Sequence, residues 1–447
     1  MSNYCSAHRG FERFLDGSQV LVDKSDLIAN LATYHRCRYI LMPPHFGKST
    51  LLDFLQELYS HGTARMAGLK IEREHLWKDK KTCKVVVLDF AEVLKHIDPA
   101  KPLREEISRA FCAHLRQQFT LAGLEPDPAQ KDLDLALCSR LKNEPYFSVA
   151  LLVKNNEALL EHFIFEPELF EYCSRLQYYF YGMTASYSSR FRSMWVTGSV
   201  HYSESILDTL PHDDYFRDYS YNSDVPGIFG FSAEEIEQNF GPQLQHAARV
   251  LSAQNLQGKV WTAADVLEEI EAQYGGFSFN LYDNNSPKLC NPHSVLSFLA
   301  APEQGFKTYC TDHCPQAAGL IDKFMCAAMQ GYPSDSEQER AKGQSSGLDG
   351  LIAEKQTWDF SFLCLHACYI DGQPFLPTSQ LLWRQGFFSI KQVNSSEDDK
   401  DYVVDLAVPN LEVRRCFEES YRRLKAAGQR RNRSSAKGAP ELHKGQN

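Results

Sequence analysis

Apolar positions in the first half of the chain alternate between two rhythms. Short unbroken runs, at Arg38–Met42, Lys84–Phe90, Phe147–Val153 and Ser193–Thr197, have the length and apolar density of strands buried on both faces. Between them, apolar residues recur every three or four positions, over Lys48–Ser60, Leu103–Phe119 and Glu157–Tyr181. In the first of these, Leu51, Leu52, Leu55, Leu58 and Tyr59 fall on one helical stripe. Strand and helix in alternation predict a parallel α/β sheet over residues 1–225.

The pattern then changes. Residues 226–345 read as mostly helical, with a capping-box start at Ser232 and Glu235. Residues 333–350, polar and rich in glycine and serine, read as a linker or surface loop at the end of that span. Residues 346–425 read as a small α+β unit. A helix at "TSQLLWRQ", two strands at "FFSIKQV" and "DYVVDLAV", and a helix from Leu411 suggest a winged-helix-like module. Residues 426–447 are basic and lack apolar anchors, the composition of a disordered tail.

Composition narrows the classes. Of 447 residues, 43% are hydrophobic and 12% aromatic, as in an ordinary globular protein, and the formal charge of -10 argues against a general nucleic-acid coat. Nucleic acid is left only the basic tail as a contact. No apolar run has the length to cross a bilayer, and the N-terminus does not read as a signal peptide. The 13 scattered cysteines suit reduced thiols and a cytoplasmic location.

The candidate chemistry lies in "YILMPPHFGKSTLLDFLQELY", residues 39–59. An apolar run, a kinked loop, Gly-Lys-Ser and an amphipathic helix form the context of a phosphate-binding loop. There, backbone N–H groups at a helix N-terminus converge on phosphate oxygens. Gly47 would allow close backbone approach, Lys48 would reach the β- and γ-phosphates, and Ser49 would hold Mg²⁺. The usual first glycine is absent, with Met42 in its place.

The order and spacing of further stretches carry a resemblance. "VLVDKSDLIANL", "KVVVLDFAEV", "VTGSVHYSESIL", "GIFGFSAEEIE", "YGGFSFNLYD", "LCNPHSVLSFL", "LLWRQGFFSIK" and "AVPNLEVRRCFEE" together resemble the AAA-ATPase-like family of bacterial proteins, from about residue 10 to residue 420. Family members carry a loop of the type R-P-R-R-F-G-K-[ST] and routinely lack the first glycine. The resemblance implies a P-loop NTPase sheet and ATP bound at Pro43, Phe46, Gly47, Lys48, Ser49 and Thr50. Many members also carry a PD-(D/E)XK nuclease-like domain. This chain ends where that domain would begin, so no nuclease is expected in it.

The sequence departs from the family where acids and arginines are expected. The family's Walker B Asp-Glu pair aligns with Val153 and Lys154, and its loop arginines with Met42, Pro44 and His45. Two further family arginines align with His201 and Ser278. At about 4 Å and an effective dielectric near 20, two unit charges interact by about 4 kcal/mol, so a free lysine would repel Mg²⁺ by about twice that. The expectation is an ATP-binding protein with a degenerate Walker B element and weak or absent hydrolysis. A scaffold that has lost the nucleotide is the alternative. A third reading is an active Mg²⁺-dependent ATPase using Asp89 or an acid in trans.

Other residues carry paired readings. Asp89 is either a metal-positioning acid or the end of an ordinary second strand. Thr197 is either a γ-phosphate sensor or a strand-end hydroxyl bonded to backbone. Lys154 could neutralise phosphate in place of a metal. Asp23 and Lys24 line the pocket or form a surface turn. Cys310, His313 and Cys314, and Cys364, His366 and Cys368, have spacings that fit no standard zinc finger, and core thiols are the expected reading. A protein partner is left open.

Overall fold

A computed structural model describes residues 11–437 apart from 16, 18, 33–36, 79–80, 165, 201–215, 221–225, 255–257, 281–284, 312–316, 331–351, 353, 359–367, 371–372, 376–377 and 396–401. The expected loop at 333–350 and His201 therefore lie outside the described residues.

The N-terminal unit is built on a five-stranded sheet. Its strands are β1 (Cys37–Leu41), β2 (Lys84–Asp89), β3 (Val149–Lys154), β4 (Phe191–Gly198) and β5 (Phe216–Asp218), in the spatial order β2-β3-β4-β1-β5. Every pairing in it is parallel. The chain leaves β1, crosses to the far edge at β2, returns through β3 and β4, and then passes over to β5. The crevice beyond the carboxyl end of β1 thus lies at a reversal of strand order, the usual ligand position in an open parallel sheet.

Both faces of the sheet are covered, so the strands are continuously apolar rather than alternating. Ala150, Leu152 and Trp195 face one core, shared with Leu52, Leu55 and Leu58 of α3 (Lys48–His61). Leu151, Val153 and Val196 face the other, shared with Ile107, Phe111 and Leu115 of α6 (Leu103–Leu121) and with Phe170 and Phe180 of α9 (Pro167–Ser186). Short helices α1 (Glu12–Leu15), α2 (Ser25–Ala32), α4 (Lys70–Arg73), α5 (Phe90–Leu94), α7 (Leu133–Lys142) and α8 (Ala158–His162) fill the connections.

The helix expected over Glu157–Tyr181 is two helices, α8 and α9. Pro167 separates them, since its ring disfavours helix in the residue before it while suiting the first turn of the next helix.

Beyond residue 226, α10 (Ala233–Gln254), α11 (Ala263–Tyr274) and α12 (Pro292–Ala300) share one core. The Ser232 capping box forms: Glu235 N–H donates to Ser232 Oγ at 3.1 Å, and Ser232 N–H donates to Glu235 Oε2 at 2.9 Å. Helix α13 (Ala317–Gln330) instead packs with the C-terminal elements. These include α14 (Thr378–Arg384), β9 (Ser389–Ser395), β10 (Tyr402–Ala407) and α15 (Leu411–Lys437). The helix, two strands and helix follow in the anticipated order. A further strand, β6 (Glu354–Trp358), pairs antiparallel with β10, and β7 (Cys368–Ile370) with β8 (Gln373–Phe375) forms a separate ribbon. Helix α15 runs on through Lys437, into residues expected to be disordered.

Leu152 is fully buried at the centre of β3, whereas Leu135 on α7 is 57% exposed. Leu152→Ala is expected to destabilise the protein by about 2–5 kcal/mol, and Leu135→Ala by less than about 0.5 kcal/mol. Chemical denaturation followed by circular dichroism measures both.

Candidate nucleotide-binding site

The loop between β1 and α3 turns sharply back over the end of the sheet. His45 (φ 68°) and Gly47 (φ 97°) both adopt left-handed backbone. At Gly47 this costs little, because there is no Cβ, whereas His45 carries strain of the kind that gathers at binding loops. Met42 N–H donates to Gly198 O at 3.0 Å, which ties the loop's entry to the end of β4. Gly47 is the N-cap of α3, and no side chain caps that helix end. The first-turn amides therefore meet the site without a built-in acceptor, and the helix dipole adds partial positive charge there.

Phe46 anchors the bend. It is 1% exposed, and its ring meets Phe277 and Phe279 edge-on at centroid distances of 4.8 and 5.0 Å. The loop is thus seated on the "YGGFSF" segment that follows α11.

Lys48 folds back on the loop, donating from Nζ to Met42 O at 2.7 Å and to Pro43 O at 2.9 Å. Loss of water around the ammonium lowers its pKa to about 8, against the opposing pull of the Glu157 and Glu161 carboxylates. Burial, reinforced by the charge of Glu157, raises Glu161 to about 7, while Lys48 pulls it back down.

Phe46, Gly47, Lys48, Ser49 and Thr50 line one cavity of about 940 Å³. Pro43 does not line it, and its contribution is the carbonyl that accepts from Lys48. Ser49 is exposed at the start of α3, and the Thr50 hydroxyl accepts from Arg13 at 3.4 Å. Pro292, His293 and Gln385 reach the cavity from the later units.

Several expected site residues are engaged elsewhere. Asp89 caps α5, accepting from Ala91 N–H at 3.0 Å and from Asn155 Nδ2 at 2.8 Å, and it is not among the cavity residues. Thr197 is 1% exposed and donates to Val153 O at 3.1 Å, the strand-end hydroxyl reading. Lys154 ends β3 beside Asp89, but its ammonium sits 2.7 Å from Asp53 Oδ1 on α3. Arg13 approaches the other oxygen of Asp53 at 3.2 Å. Lys154 is therefore a paired charge. The repulsion expected of a free lysine against Mg²⁺ does not apply, and neither does its use as a ready phosphate ligand.

Asp23 and Lys24 line the cavity and also hold elements together. Asp23 accepts from the backbone of Ser25 and Lys70, and Lys24 Nζ donates to Gly230 O at 2.8 Å and pairs with Glu235 at 3.1 Å. Ser278 donates its backbone N–H to Ser389 Oγ. Of the cysteine sets, Cys310 Sγ lies 3.8 Å from Cys416 Sγ. His313, Cys314, Cys364 and His366 fall outside the described residues, and only the backbone of Cys368 is described. Among the described residues no group of three metal-ligating side chains assembles, and no helix is long and apolar enough to cross a membrane.

The residues that sequence reasoning missed are Glu157 and Glu161, three and seven positions beyond Lys154. The available signal was an acid one turn from another acid, "EALLE", directly after a buried strand.

Residues 7–206 match the family model AAA-ATPase-like, described as a predicted AAA-ATPase. Over that span the family resemblance is shown. No curated protein matches the chain. The AAA-ATPase-like region carries β1 to β4, the loop and both glutamates. The aromatic seat of Phe46 and the residues Pro292, His293 and Gln385 come from outside it.

The raised pKa of Glu161 has a definite sign in stability. Between pH 4.5 and 7 the folded state holds a proton that the unfolded chain has released, so stability is lost as pH rises through that window. E161Q removes this contribution. From pH 4.5 to pH 8 the ligand-free wild type is expected to lose about 1–3 kcal/mol more than E161Q, read from urea denaturation at each pH. Phe46→Ala should lower stability by about 3 kcal/mol and weaken any ligand held by the loop, checked by calorimetry.

Proposed function

We propose that this protein binds ATP in the cavity above β1 and hydrolyses it slowly or not at all. The observation that carries the reading is the loop itself. An uncapped helix N-terminus, a left-handed Gly47, a lysine with lowered pKa and an exposed Ser49 converge on one cavity at the strand-order reversal. The match to a predicted AAA-ATPase family points the same way.

In this reading the triphosphate takes over Lys48. The ammonium exchanges two neutral carbonyls for phosphate oxygens, a stronger charge-assisted partner. Backbone amides of Gly47 to Thr50 would hold phosphate oxygens, and the Ser49 hydroxyl would be a ligand for Mg²⁺. Mg²⁺, when bound, supplies charge neutralisation for the phosphates. Slow turnover follows from what stands at the strand ends. Attack on the γ-phosphate needs a group that orients water and a cation that spreads the developing charge. Lys154 and Asn155 occupy the end of β3, Thr197 is bonded to backbone, and Asp89 caps a helix.

The scaffold alternative is favoured by one feature, that Lys48 is satisfied inside its own loop. An active ATPase would draw its acid from a partner chain. A cytoplasmic location, a protein partner, and nucleic acid met only through the basic C-terminal stretch complete the proposal.

Thermal shift and calorimetry with ATP separate these readings. The wild type should bind ATP, and saturation at a hundredfold over Kd adds about 2.7 kcal/mol of stability. Lys48→Ala should weaken binding by about a hundredfold or more. No stabilisation by ATP would favour the scaffold, and phosphate release that falls with Lys48→Ala would favour the active enzyme. Because Lys48 loses its proton above about pH 8, wild-type affinity for ATP should fall as pH rises through that value, with a proton taken up on binding.

A further inference from the structure

Glu157 is 6% exposed and lies at the N-terminus of α8. Its Oε1 accepts from Ser199 N–H at 2.9 Å and Ser199 Oγ at 2.7 Å. Its Oε2 is buried with no hydrogen-bond partner. A buried carboxylate oxygen with open lone pairs is costly, and it persists where something else supplies the missing positive charge. The position is structurally reserved: a Cβ on Gly198, at the end of β4, would collide with that oxygen.

Glu161 stands one helical turn on, with its backbone N–H donating to Glu157 O at 2.8 Å. Gln385 approaches its Oε1 at 3.4 Å. Both glutamates line the cavity that holds Lys48 and Ser49. The nearest strand-end cation, Lys154, is neutralised by Asp53.

Charge bookkeeping then poses a problem for a triphosphate. Of the charged side chains lining the cavity, Arg13 and Lys24 are paired with Asp53 and Glu235, and Asp23 accepts from two backbone N–H groups, so at the loop end the roughly four negative charges of the triphosphate would meet the two carboxyl groups of Glu157 and Glu161 against Lys48. Mg²⁺ resolves this, since it is typically held by one or two carboxylates together with substrate phosphates and water.

We propose that Glu157 and Glu161 form the divalent-cation seat of this site, opposite the Ser49 hydroxyl, in place of acids at the ends of the strands. The proposal rests on the ATP-binding reading and deepens it. The two glutamates hold a cation against the bound phosphates, and Gln385 positions Glu161 from the C-terminal unit. The seat concerns binding of the metal–nucleotide complex and leaves the water-orienting position without an acid.

The test compares ATP affinity in EDTA with ATP affinity in excess Mg²⁺, by calorimetry, for wild type, E157Q, E161Q and D89N. Mn²⁺ with ATP, followed by electron paramagnetic resonance, reports the bound metal directly. For wild type, Mg²⁺ should tighten ATP binding by about tenfold or more. E157Q and E161Q should bind ATP in EDTA at least as well as wild type, because two like charges have been reduced to one. Their gain on adding Mg²⁺ should shrink to within about twofold. D89N should keep the full gain. Two variants are used because E157Q also touches Ser199 and could unfold, whereas E161Q sits nearer the solvent side. If E161Q, folded by circular dichroism, keeps the wild-type gain, the seat lies elsewhere and the proposal is overturned. If D89N alone loses it, Asp89 holds the cation and the proposal is overturned in that way. If wild type binds ATP tightly in EDTA and gains nothing from Mg²⁺, ATP binding stands and the cation seat falls. If wild type binds ATP in neither buffer, both readings fall together.

Discussion

The burial of Phe46 is the constraint on which the site rests. A loop that turns through left-handed backbone at His45 and Gly47 carries no regular hydrogen-bond ladder of its own. Its shape must come from what it packs on. The Phe46 ring, held edge-on by Phe277 and Phe279, fixes the bend, and its carbonyl accepts from Gly230 N–H at 3.4 Å. Edge-to-face packing of this kind adds roughly 0.5–1.5 kcal/mol per pair beyond area burial. A loop anchored by this packing can leave the helix amides facing the cavity without collapsing onto them.

The same anchor makes the site a property of the whole chain. The seat of Phe46 belongs to the segment after α11, which is itself tied to the C-terminal unit. Ser278 N–H donates to Ser389 Oγ, Asn410 Nδ2 donates to Gly275 O at 2.7 Å, and Lys288 Nζ donates to Ile390 O at 3.1 Å. Lys24 adds a further tie between the N-terminal unit and the start of α10. The cavity is therefore lined by elements from all three stretches. Gln385, directly after α14, joins the C-terminal unit to Glu161.

Charge is partitioned into two groups across α3. On one side Asp53 holds Lys154 and Arg13, one on each carboxylate oxygen. On the other, Lys48 faces Glu157 and Glu161, a cluster with one cation for two carboxyl groups and a buried oxygen left open. The first is a structural brace between β3, α1 and α3. The second is electrostatically incomplete, and incompleteness in a cavity is what a charged ligand can relieve.

The strand runs were legible because strands buried on both faces must be apolar throughout, and β1 to β4 fell within two residues of their expected bounds. Helix α3 was legible from its stripe, and Ser232 from its partner three residues on. Gly47, Lys48 and Ser49 were legible because a phosphate loop depends on local backbone and on a fixed spacing. The break at Pro167 was also written in the sequence, although the apolar period alone ran across it. What the sequence could not decide was where each charge would be spent. Lys154 reads as an intruder until Asp53, 101 residues earlier, is seen beside it. Asp89 reads either as a metal-positioning acid or as the end of an ordinary strand until its Oδ1 is seen to accept from Ala91 and Asn155. Glu157 carries no signal beyond opening a helical stretch until Gly198 and Ser199 are seen beside its carboxylate. Periodicity and short motifs arise from neighbours along the chain, so one sequence records them. The partner of a buried charge is chosen by the crossing of distant strands, and only the folded arrangement contains that information.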